Sequence, residues 1–241
     1  MIVIEYDGTA YHGWQRQQGL TTVQQVLEDS IARITSEKVT VIGSGRTDAG
    51  VHALNQSAHF ITNTSIETRN LLLGINSLLP SDLVIRELEE MNELFHARYD
   101  VKSKIYMYQI VNTPIRPALQ RSYYWHVRAP LDVQSMEKGL SLLKGKHDFS
   151  SFCGKLESGL NCVRTMKEAR IEKIGSDLLR IYFEADGFLR HMVRTIVGTL
   201  VEVGKGKREP DELLTILQSG ERRCAGMTAP PQGLFLMEVR Y

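Results

Sequence analysis

The sequence has few cysteines and no long apolar run. Its three cysteines, Cys153, Cys162 and Cys224, form no CxxC pair, and their odd number argues against a disulfide framework or a four-cysteine zinc site. No stretch approaches the ~18 consecutive apolar residues that a membrane-spanning helix needs. Met1 leads directly into an apparent strand, without the features of a secretory signal. We therefore expect a cytoplasmic protein with reduced, structural thiols.

Nucleotide-binding and metal-binding motifs are also missing. The sequence contains no GxxxxGK[ST] loop for the phosphates of a nucleotide. Its seven histidines include neither an HExxH pair nor a close cluster of ligands, so they are interpreted as scattered structural or surface residues. The sequence thus predicts no metal site and no nucleotide cofactor.

The net charge is close to zero, but the charges are unevenly distributed. The 241 residues together carry a formal charge of +1. Residues 1–98 contain 7 basic and 12 acidic residues, a balance of −5, whereas residues 99–241 contain 22 and 16, a balance of +6. Many of these charges could simply solvate helices and strands. The asymmetry nevertheless favours a nucleic-acid-binding face on the second half.

Apolar periodicity predicts an α+β fold. In the first half, strands are expected at residues 2–6, 39–42, 53–62 and 83–89, and helices at 23–35 and 66–79. This β-α-β-β-α-β order is that of the ferredoxin-like fold. The composition shifts near Tyr99, which predicts two domains, 1–98 and 99–241.

The second half is predicted to contain further strands and helices. The expected strands cover residues 104–111, 123–127, 163–174, 178–185 and 234–239. The expected helices lie around residues 136–143, at 188–200 and at 210–218. Residues 145–153 are interpreted as a loop, in which His147 and Asp148 have no third partner for acid–base catalysis and are assigned a structural or RNA-contact role.

The most informative stretch is Gly43–Ala53, which connects two predicted strands. If Thr47 is extended, Arg46 and Asp48 project to the same side. The stretch could be a tight turn with a surface ion pair. It could be a dinucleotide-binding loop, although an aspartate stands in place of the last glycine and no helix follows to receive a pyrophosphate. It could also hold a catalytic carboxylate that a neighbouring cation keeps ionised.

The third interpretation gains from a resemblance. Gly45–Ala53 reads GRTDAGVHA and resembles the catalytic motif of the tRNA pseudouridine synthase A family, and shorter similarities extend from Glu5 to Tyr241. The resemblance implies that Asp48 is the nucleophile of an isomerase that converts uridine to pseudouridine. It further implies substrate uridines at positions 38, 39 and 40 of tRNA, in the anticodon stem-loop, and a homodimer that shares one tRNA across both subunits.

The same resemblance assigns other residues. It implies that Arg194, in the sequence FLRHMVR, meets the catalytic aspartate, that Tyr106 stacks against the target base, and that Leu234 packs on the base. Without the resemblance these three would be a structural arginine and two core residues. It also implies two ferredoxin-like (RRM-like) halves whose antiparallel sheets flank a central catalytic cleft. Arg46 is assigned to hold the flipped nucleotide or to fill its place, as a hypothesis.

The reaction needs a nucleophile but no redox partner, so no cofactor is expected. The base must be flipped out of its stem to reach Asp48. Attack at C1′, attack at C6 and a glycal intermediate all use one aspartate, and the sequence does not choose among them. The segment Thr9–Gln17 mixes polar and aromatic residues; it could be a loop that packs one tryptophan on the core, but its resemblance to the start of the family's sequences favours an RNA-facing loop with stacking rings. Two other functions stay open at this point: a non-catalytic RNA-binding module and a nucleotide-dependent enzyme.

Overall fold

A computed structural model describes residues 1–156 and 159–241, which divide into two units. The first unit contains Met1–Lys102 together with Phe235–Tyr241, and the second contains Ser103–Leu234. Across the described ranges, no helix combines the length and the apolar character that crossing a membrane requires.

Strands and helices follow one another along the chain in the order β1 (Ile2–Tyr6), α1 (Val23–Thr35), β2 (Ile42–Gly43), β3 (His52–His59), α2 (Thr68–Leu78), β4 (Leu83–Leu88), β5 (Ser103–Asn112), β6 (Trp125–Val127), α3 (Val133–Ser141), β7 (Gly145–Asp148), β8 (Val163–Ile174), β9 (Leu178–Ala185), α4 (Met192–Gly204), α5 (Glu212–Ser219) and β10 (Leu234–Arg240). The first unit therefore has the β-α-β-β-α-β order that the sequence predicts, followed at the end of the chain by β10.

The sheet of the first unit is mostly antiparallel. β1 lies between β4 and β3 and pairs antiparallel with both, and β2 also pairs antiparallel with β3. β10 pairs with β3 in parallel, with Phe235 opposite His52. Alternate residues of β1 are buried, and the apolar stripe of α1 at Val23, Leu27 and Ile31 is fully buried as well. This burial is the hydrophobic driving force for the unit.

One strand predicted in the first unit is mostly not formed. Residues 39–42 were expected to be a strand, but only Ile42–Gly43 pairs with β3. The N–H of Val41 donates to Glu28 Oε1 at 3.0 Å, and its carbonyl accepts from Gln24 Nε2 at 3.1 Å. Side chains of α1 thus satisfy the backbone groups that a strand partner would otherwise satisfy.

The sheet of the second unit has the order β5-β9-β8-β7, with antiparallel pairs throughout, and β6 pairs in parallel with β5. One face of this sheet is buried through Tyr108 and Ile110 on β5 and Ile181 and Phe183 on β9. Both units therefore mix helices with mostly antiparallel sheets, which is the α+β content that the sequence predicts.

Two predictions for the second unit are wrong in detail. The proposed loop at residues 145–153 contains β7, which pairs with β8 from Gly145 opposite Met166 to Asp148 opposite Val163. β7 is short and polar and lacks an apolar alternation, so its pairing with β8 rather than its own sequence makes it a strand.

The helix predicted at 188–200 begins later, at Met192, because His191 has a positive φ of 63° that a right-handed helix does not allow.

A pair of histidines in the first unit predicts a pH-dependent stability. The Nδ1 atom of His59 accepts the Ala97 N–H at 3.1 Å, and Nδ1 of His96 accepts the Arg98 N–H at 3.1 Å, so both bonds need neutral rings. The two ring centroids lie 4.8 Å apart. Burial, with the charges of His96 and the amino terminus, lowers the pKa of His59, while Asp100 acts in the opposite direction.

We therefore expect the free energy of unfolding to fall as the pH drops below the ordinary histidine pKa of about 6.5. The unfolded chain binds a proton at His59 more readily than the folded chain does, so stability is fully present above that pH and is lost below it. Urea unfolding at pH 7.5 and pH 5.5 measures the effect. His59→Asn, which keeps an acceptor near Nδ1, should show a smaller difference between the two pH values; an equal difference would contradict the assignment.

Candidate active site

The loop Gly43–Val51 carries Arg46 and Asp48 at the entrance to β3. Asp48 is half-buried and Arg46 is exposed. The Asp48 carbonyl accepts the Val51 N–H at 3.2 Å, which closes a turn whose third residue, Gly50, has a φ of 76°. Glycine adopts this left-handed conformation without a steric cost. The turn therefore fixes the backbone on the carboxyl side of Asp48.

The segment that follows β1 holds the other side of the loop. The N–H of Trp14 donates to the Thr47 carbonyl at 3.1 Å, and the N–H of Gly50 donates to the Tyr11 carbonyl at 3.3 Å. Gly13 has a φ of 86°, and a Cβ at this position would lie 2.6 Å from the Thr47 carbonyl oxygen. The close approach of the two backbones thus depends on glycine at position 13.

Beneath the loop lies a group of buried polar side chains. The hydroxyls of Tyr6 and Thr47 are 2.8 Å apart. Ser44 Oγ donates to Gln56 Oε1 at 2.6 Å, and Gln56 Nε2 donates to the Gly45 carbonyl at 2.9 Å. Burial raises the pKa of Tyr6. We call Tyr6, Ser44, Thr47 and Gln56 the buried polar group.

The sequence analysis missed this group. Its residues come from β1, from the loop and from β3, and they meet because Ile4 pairs with Gln56 across the two strands. The one local signal was a tyrosine at the end of the apolar face of β1, after Ile2 and Ile4. A polar hydroxyl at such a position needs a buried partner.

His52 ends the loop and is also buried. Its Nδ1 atom lies 3.0 Å from the Gly8 nitrogen, which donates to it, and 3.1 Å from Asp7 Oδ1. Its ring stacks on Phe235 of β10, with centroids 4.7 Å apart. His52, the penultimate residue of the motif and the first residue of β3, is thus tied both to the segment that directly follows β1 and to the C-terminal strand of the same unit.

The prediction that segment Thr9–Gln17 presents aromatic rings to RNA is wrong for both rings. Trp14 is 2% exposed and Tyr11 is 4% exposed. Trp14 packs against Gly43, where a Cβ would lie 2.6 Å from the indole ring. Tyr11 donates its hydroxyl to Asp82 Oδ1 at 2.7 Å. These rings support the loop from inside the unit and offer no surface for stacking.

The other predicted site residues belong to the second unit. Tyr106 on β5 is buried, and its ring meets Phe188 edge to face, with centroids 4.9 Å apart. Leu234 is buried at the start of β10. Arg194 lies in the first turn of α4 and is half-buried.

The segment before β10 fixes Arg194. Arg194 Nε donates to the Ala229 carbonyl at 2.8 Å, and the Ala229 N–H donates back to the Arg194 carbonyl at 3.0 Å. The segment before β10 packs closely on α4. A Cβ at Gly198 of α4 would lie 1.8 Å from the Met227 carbonyl oxygen. One edge of the guanidinium group thus donates to a main-chain carbonyl, and this hydrogen bond sets the plane of the side chain.

Tyr108 lies near Arg194. Its hydroxyl donates to the Pro230 carbonyl at 2.7 Å. Burial raises the pKa of Tyr108, and the positive charge of Arg194 acts against that increase. Gly233 lies against the Tyr108 ring, where a Cβ would come within 2.7 Å of Cε1. Residues 229–233 therefore connect Arg194, the second tyrosine of β5 and the start of β10.

The side chains of His147 and Asp148, the last two residues of β7, make hydrogen bonds to nearby residues of the chain. His147 Nε2 lies 2.9 Å from the Lys144 carbonyl, and Asp148 Oδ1 accepts the Ser150 N–H at 2.8 Å. Their hydrogen bonds go to different partners, which supports a structural role over an acid–base pair. In the part of the chain that the structure describes, no three or more His, Cys, Asp or Glu residues are grouped so as to hold a metal ion.

Comparisons with known proteins agree with one another. The family described as tRNA pseudouridine synthase matches residues 2–100 and 140–241. The chain is 48% identical over 241 residues to tRNA pseudouridine synthase A of Thermoanaerobacter sp. (strain X514), covering 100% of this chain and 98% of the relative. It is 46% identical to tRNA pseudouridine synthase A 2 of Clostridium perfringens (strain 13 / Type A), with coverage of 100% and 98%. Its identity to tRNA pseudouridine synthase A of Brevibacillus brevis is 46% over 239 residues, covering 99% of this chain and 98% of that relative.

Proposed function

Since the chain belongs to the tRNA pseudouridine synthase family, we propose that it isomerises uridine to pseudouridine at positions 38, 39 and 40 of tRNA, with Asp48 as the nucleophile. Isomerisation of tRNA uridines is the activity of the family. The observation that carries the finer proposal is the GRTDAGVHA loop, in which hydrogen bonds from two segments of the first unit hold the backbone around a half-buried aspartate.

The chemistry requires one carboxylate. The N1–C1′ bond breaks, the base turns, C5 bonds to C1′, and the proton of C5 is released while N1 gains one. No atom is lost from the base and ribose skeletons and no electrons are transferred, so the reaction consumes no cofactor. Asp48 can serve by attack at C1′, by attack at C6 or by removing the 2′ proton. Each route requires an ionised carboxylate of fixed orientation.

Arg194 supports that requirement. We propose that its guanidinium meets the carboxylate of Asp48 in the reacting enzyme, as the FLRHMVR sequence implies. A guanidinium is charged at every physiological pH, so it favours the ionised form of a carboxylate beside it. The hydrogen bond from Arg194 Nε to the Ala229 carbonyl fixes the orientation of the guanidinium group within the second unit.

Three further residues are proposed to contact the substrate. We assign Tyr106 and Leu234 to the flipped base and Arg46 to the flipped nucleotide or the space that it leaves. Phe188 holds the Tyr106 ring by an edge-to-face contact, and Arg46 is exposed on the loop that carries Asp48. Both features suit side chains that receive a ligand.

Replacement of any of these three residues should lower the rate on whole tRNA. A base–aromatic contact contributes roughly 1–3 kcal/mol, which corresponds to about 5- to 150-fold. Single-turnover pseudouridine formation measures the rate of each of the variants Tyr106→Leu, Leu234→Ala and Arg46→Ala. Circular dichroism verifies that each variant is folded. A folded variant that reacts at the wild-type rate would remove that residue from the assignment.

The finer features of the fold and assembly are proposed on the same basis. We propose two ferredoxin-like halves flanking a catalytic cleft, and a cytoplasmic homodimer that binds one tRNA across both subunits. The strand order β4-β1-β3-β2 in the first unit supports the first of these. Light scattering should give twice the chain mass of 27.3 kDa; a mass of one chain at micromolar concentration would contradict the dimer.

A mapping experiment tests the substrate positions. A tRNA transcript with uridine at 38, 39 and 40 is incubated with the enzyme, and pseudouridine is located by carbodiimide labelling and primer extension. Modification should occur at these positions and disappear from a matched transcript that carries cytidine at all three. Modification of both transcripts elsewhere would leave a tRNA pseudouridine synthase but overturn the assigned positions.

A further inference from the structure

We propose that Tyr6 is a positioning residue for Asp48, acting through the hydroxyl of Thr47 and supported by Gln56. This inference rests on the proposed function, in which Asp48 is the nucleophile. Tyr6 does not touch the substrate in this account. Its role is to hold the residue that precedes the nucleophile, so that the carboxylate keeps one orientation during the reaction.

Burial of the polar group carries a free-energy cost. None of its four members, Tyr6, Ser44, Thr47 and Gln56, is more than 7% exposed. Burying hydroxyl and amide groups is unfavourable unless each finds a partner, and an apolar cluster of similar volume would fill the same space without that requirement. A fully bonded polar network specifies one geometry in return. The buried polar group therefore fixes the orientation of the loop, whereas apolar side chains of the same volume would only fill the space.

The hydrogen bonds of Gln56 have defined directions. The Gly45 carbonyl can only accept, so the Nε2 atom of Gln56 must face it, and Oε1 is left to accept from Ser44. Burial keeps the Tyr6 hydroxyl protonated, and this hydroxyl contacts both Thr47 Oγ1 and the Gln56 side chain. The Gln56 side-chain amide thus has one consistent orientation.

The network contacts the loop on both sides of Arg46. It binds Ser44, Gly45 and Thr47, which lie on both sides of Arg46 and directly before Asp48. Its anchors, Tyr6 and Gln56, lie on neighbouring strands β1 and β3. The loop is therefore held against two paired strands of the sheet.

The backbone of the loop is held independently of this network. The Thr47 carbonyl accepts from Trp14, and the Asp48 carbonyl accepts from Val51. Removing the Tyr6 hydroxyl should therefore leave the loop folded but release the side chain of Thr47. Because a misplacement of about 1 Å at a reacting group can cost roughly 10²-fold in rate, we expect Tyr6→Phe to slow the reaction by about 10- to 100-fold.

Tyr124→Phe provides the matched control. Tyr124 is a buried tyrosine of the second unit that donates its hydroxyl to a main-chain carbonyl, that of Pro117, at 2.9 Å. Both variants lose one buried phenol hydroxyl. For each, the single-turnover rate, the affinity for tRNA and the free energy of unfolding are measured on the full chain.

The inference predicts a slower reaction for Tyr6→Phe with tRNA affinity within about twofold of wild type, and an unchanged rate for Tyr124→Phe. Thr47→Val, which lacks the hydroxyl, should be slower than the wild type. Thr47→Ser, which keeps the hydroxyl, should retain most of the wild-type rate. The double variant Tyr6→Phe/Thr47→Val should be no slower than the slower single variant, because both changes remove the same bond.

Three results would overturn the inference. They are a wild-type rate for Tyr6→Phe, a loss confined to tRNA affinity, and an equal loss of rate in Tyr124→Phe. If the wild-type enzyme formed no pseudouridine in tRNA, the proposed function would fail and the inference with it. The wild-type arm thus distinguishes a failure of the function from a failure of the positioning role.

Discussion

Asp48→Asn should abolish pseudouridine formation while the enzyme still binds tRNA. The carboxamide has nearly the shape of the carboxylate, so the backbone bonds around position 48 are retained. It is a poor nucleophile and a poor base, so all three chemical routes stop. Loss of one member of a catalytic triad lowers kcat by about 10⁴- to 10⁶-fold, and we expect a decrease of at least about 10³-fold here.

Nucleoside mass spectrometry of tRNA after single-turnover incubation measures the rate, and filter binding measures the affinity. Asp177→Asn, at the exposed turn between β8 and β9, removes one carboxylate from the surface and should leave both quantities unchanged. Comparable pseudouridine yields from Asp48→Asn and the wild type would exclude Asp48 as the nucleophile. A loss of tRNA binding that matched the loss of rate would assign Asp48 to binding.

Arg194→Lys should lower the rate by about 10²- to 10³-fold, the range seen when one donor to a reacting charge is removed. Lysine keeps the charge but has neither the Nε donor to the Ala229 carbonyl nor a planar fork. The bond from the Ala229 N–H to the Arg194 carbonyl is a backbone bond and survives the substitution. The segment before β10 should therefore stay in place, and the effect should fall on kcat.

Steady-state kinetics on tRNA separate kcat from KM for this variant. Arg190→Lys is the control, because Arg190 is exposed and precedes α4; it should react at the wild-type rate. An Arg194→Lys enzyme within threefold of wild type would show that charge alone suffices. A decrease in thermal stability that accounted for the lost activity at the assay temperature would instead indicate a structural role.

The sequence predicted those elements whose signals are local. α1 was placed correctly because a capping threonine, Thr22, precedes an apolar stripe of helical period, and Thr22 does accept the Gln25 N–H at 3.4 Å. β8 and β9 were also placed at their observed bounds, since both alternate clearly around a turn. Residues 39–42 failed as a strand because Gln24 and Glu28, which lie on another element, satisfy the backbone there.

The candidate site shows the same division. The motif at Gly45–Ala53 is contiguous, so the loop and its aspartate could be proposed from the sequence. The bond between Tyr6 and Thr47 joins residues 41 positions apart, and that between Arg194 and Ala229 joins residues 35 apart. Such contacts depend on strand register and on the path of later segments, which local patterns do not contain. Trp14 shows the reverse error, since the polar segment that contains it was predicted to face RNA but its ring packs inside the unit.

Release of tritium from tRNA carrying 5-tritiated uridine reports the isomerisation itself. Formation of the C5–C1′ bond expels the C5 proton into water, so each conversion releases one tritium. We expect release by the wild-type enzyme from a transcript with uridines at 38, 39 and 40. Bound tRNA with no tritium released would contradict this expectation and would identify the protein as an RNA-binding module without isomerase activity.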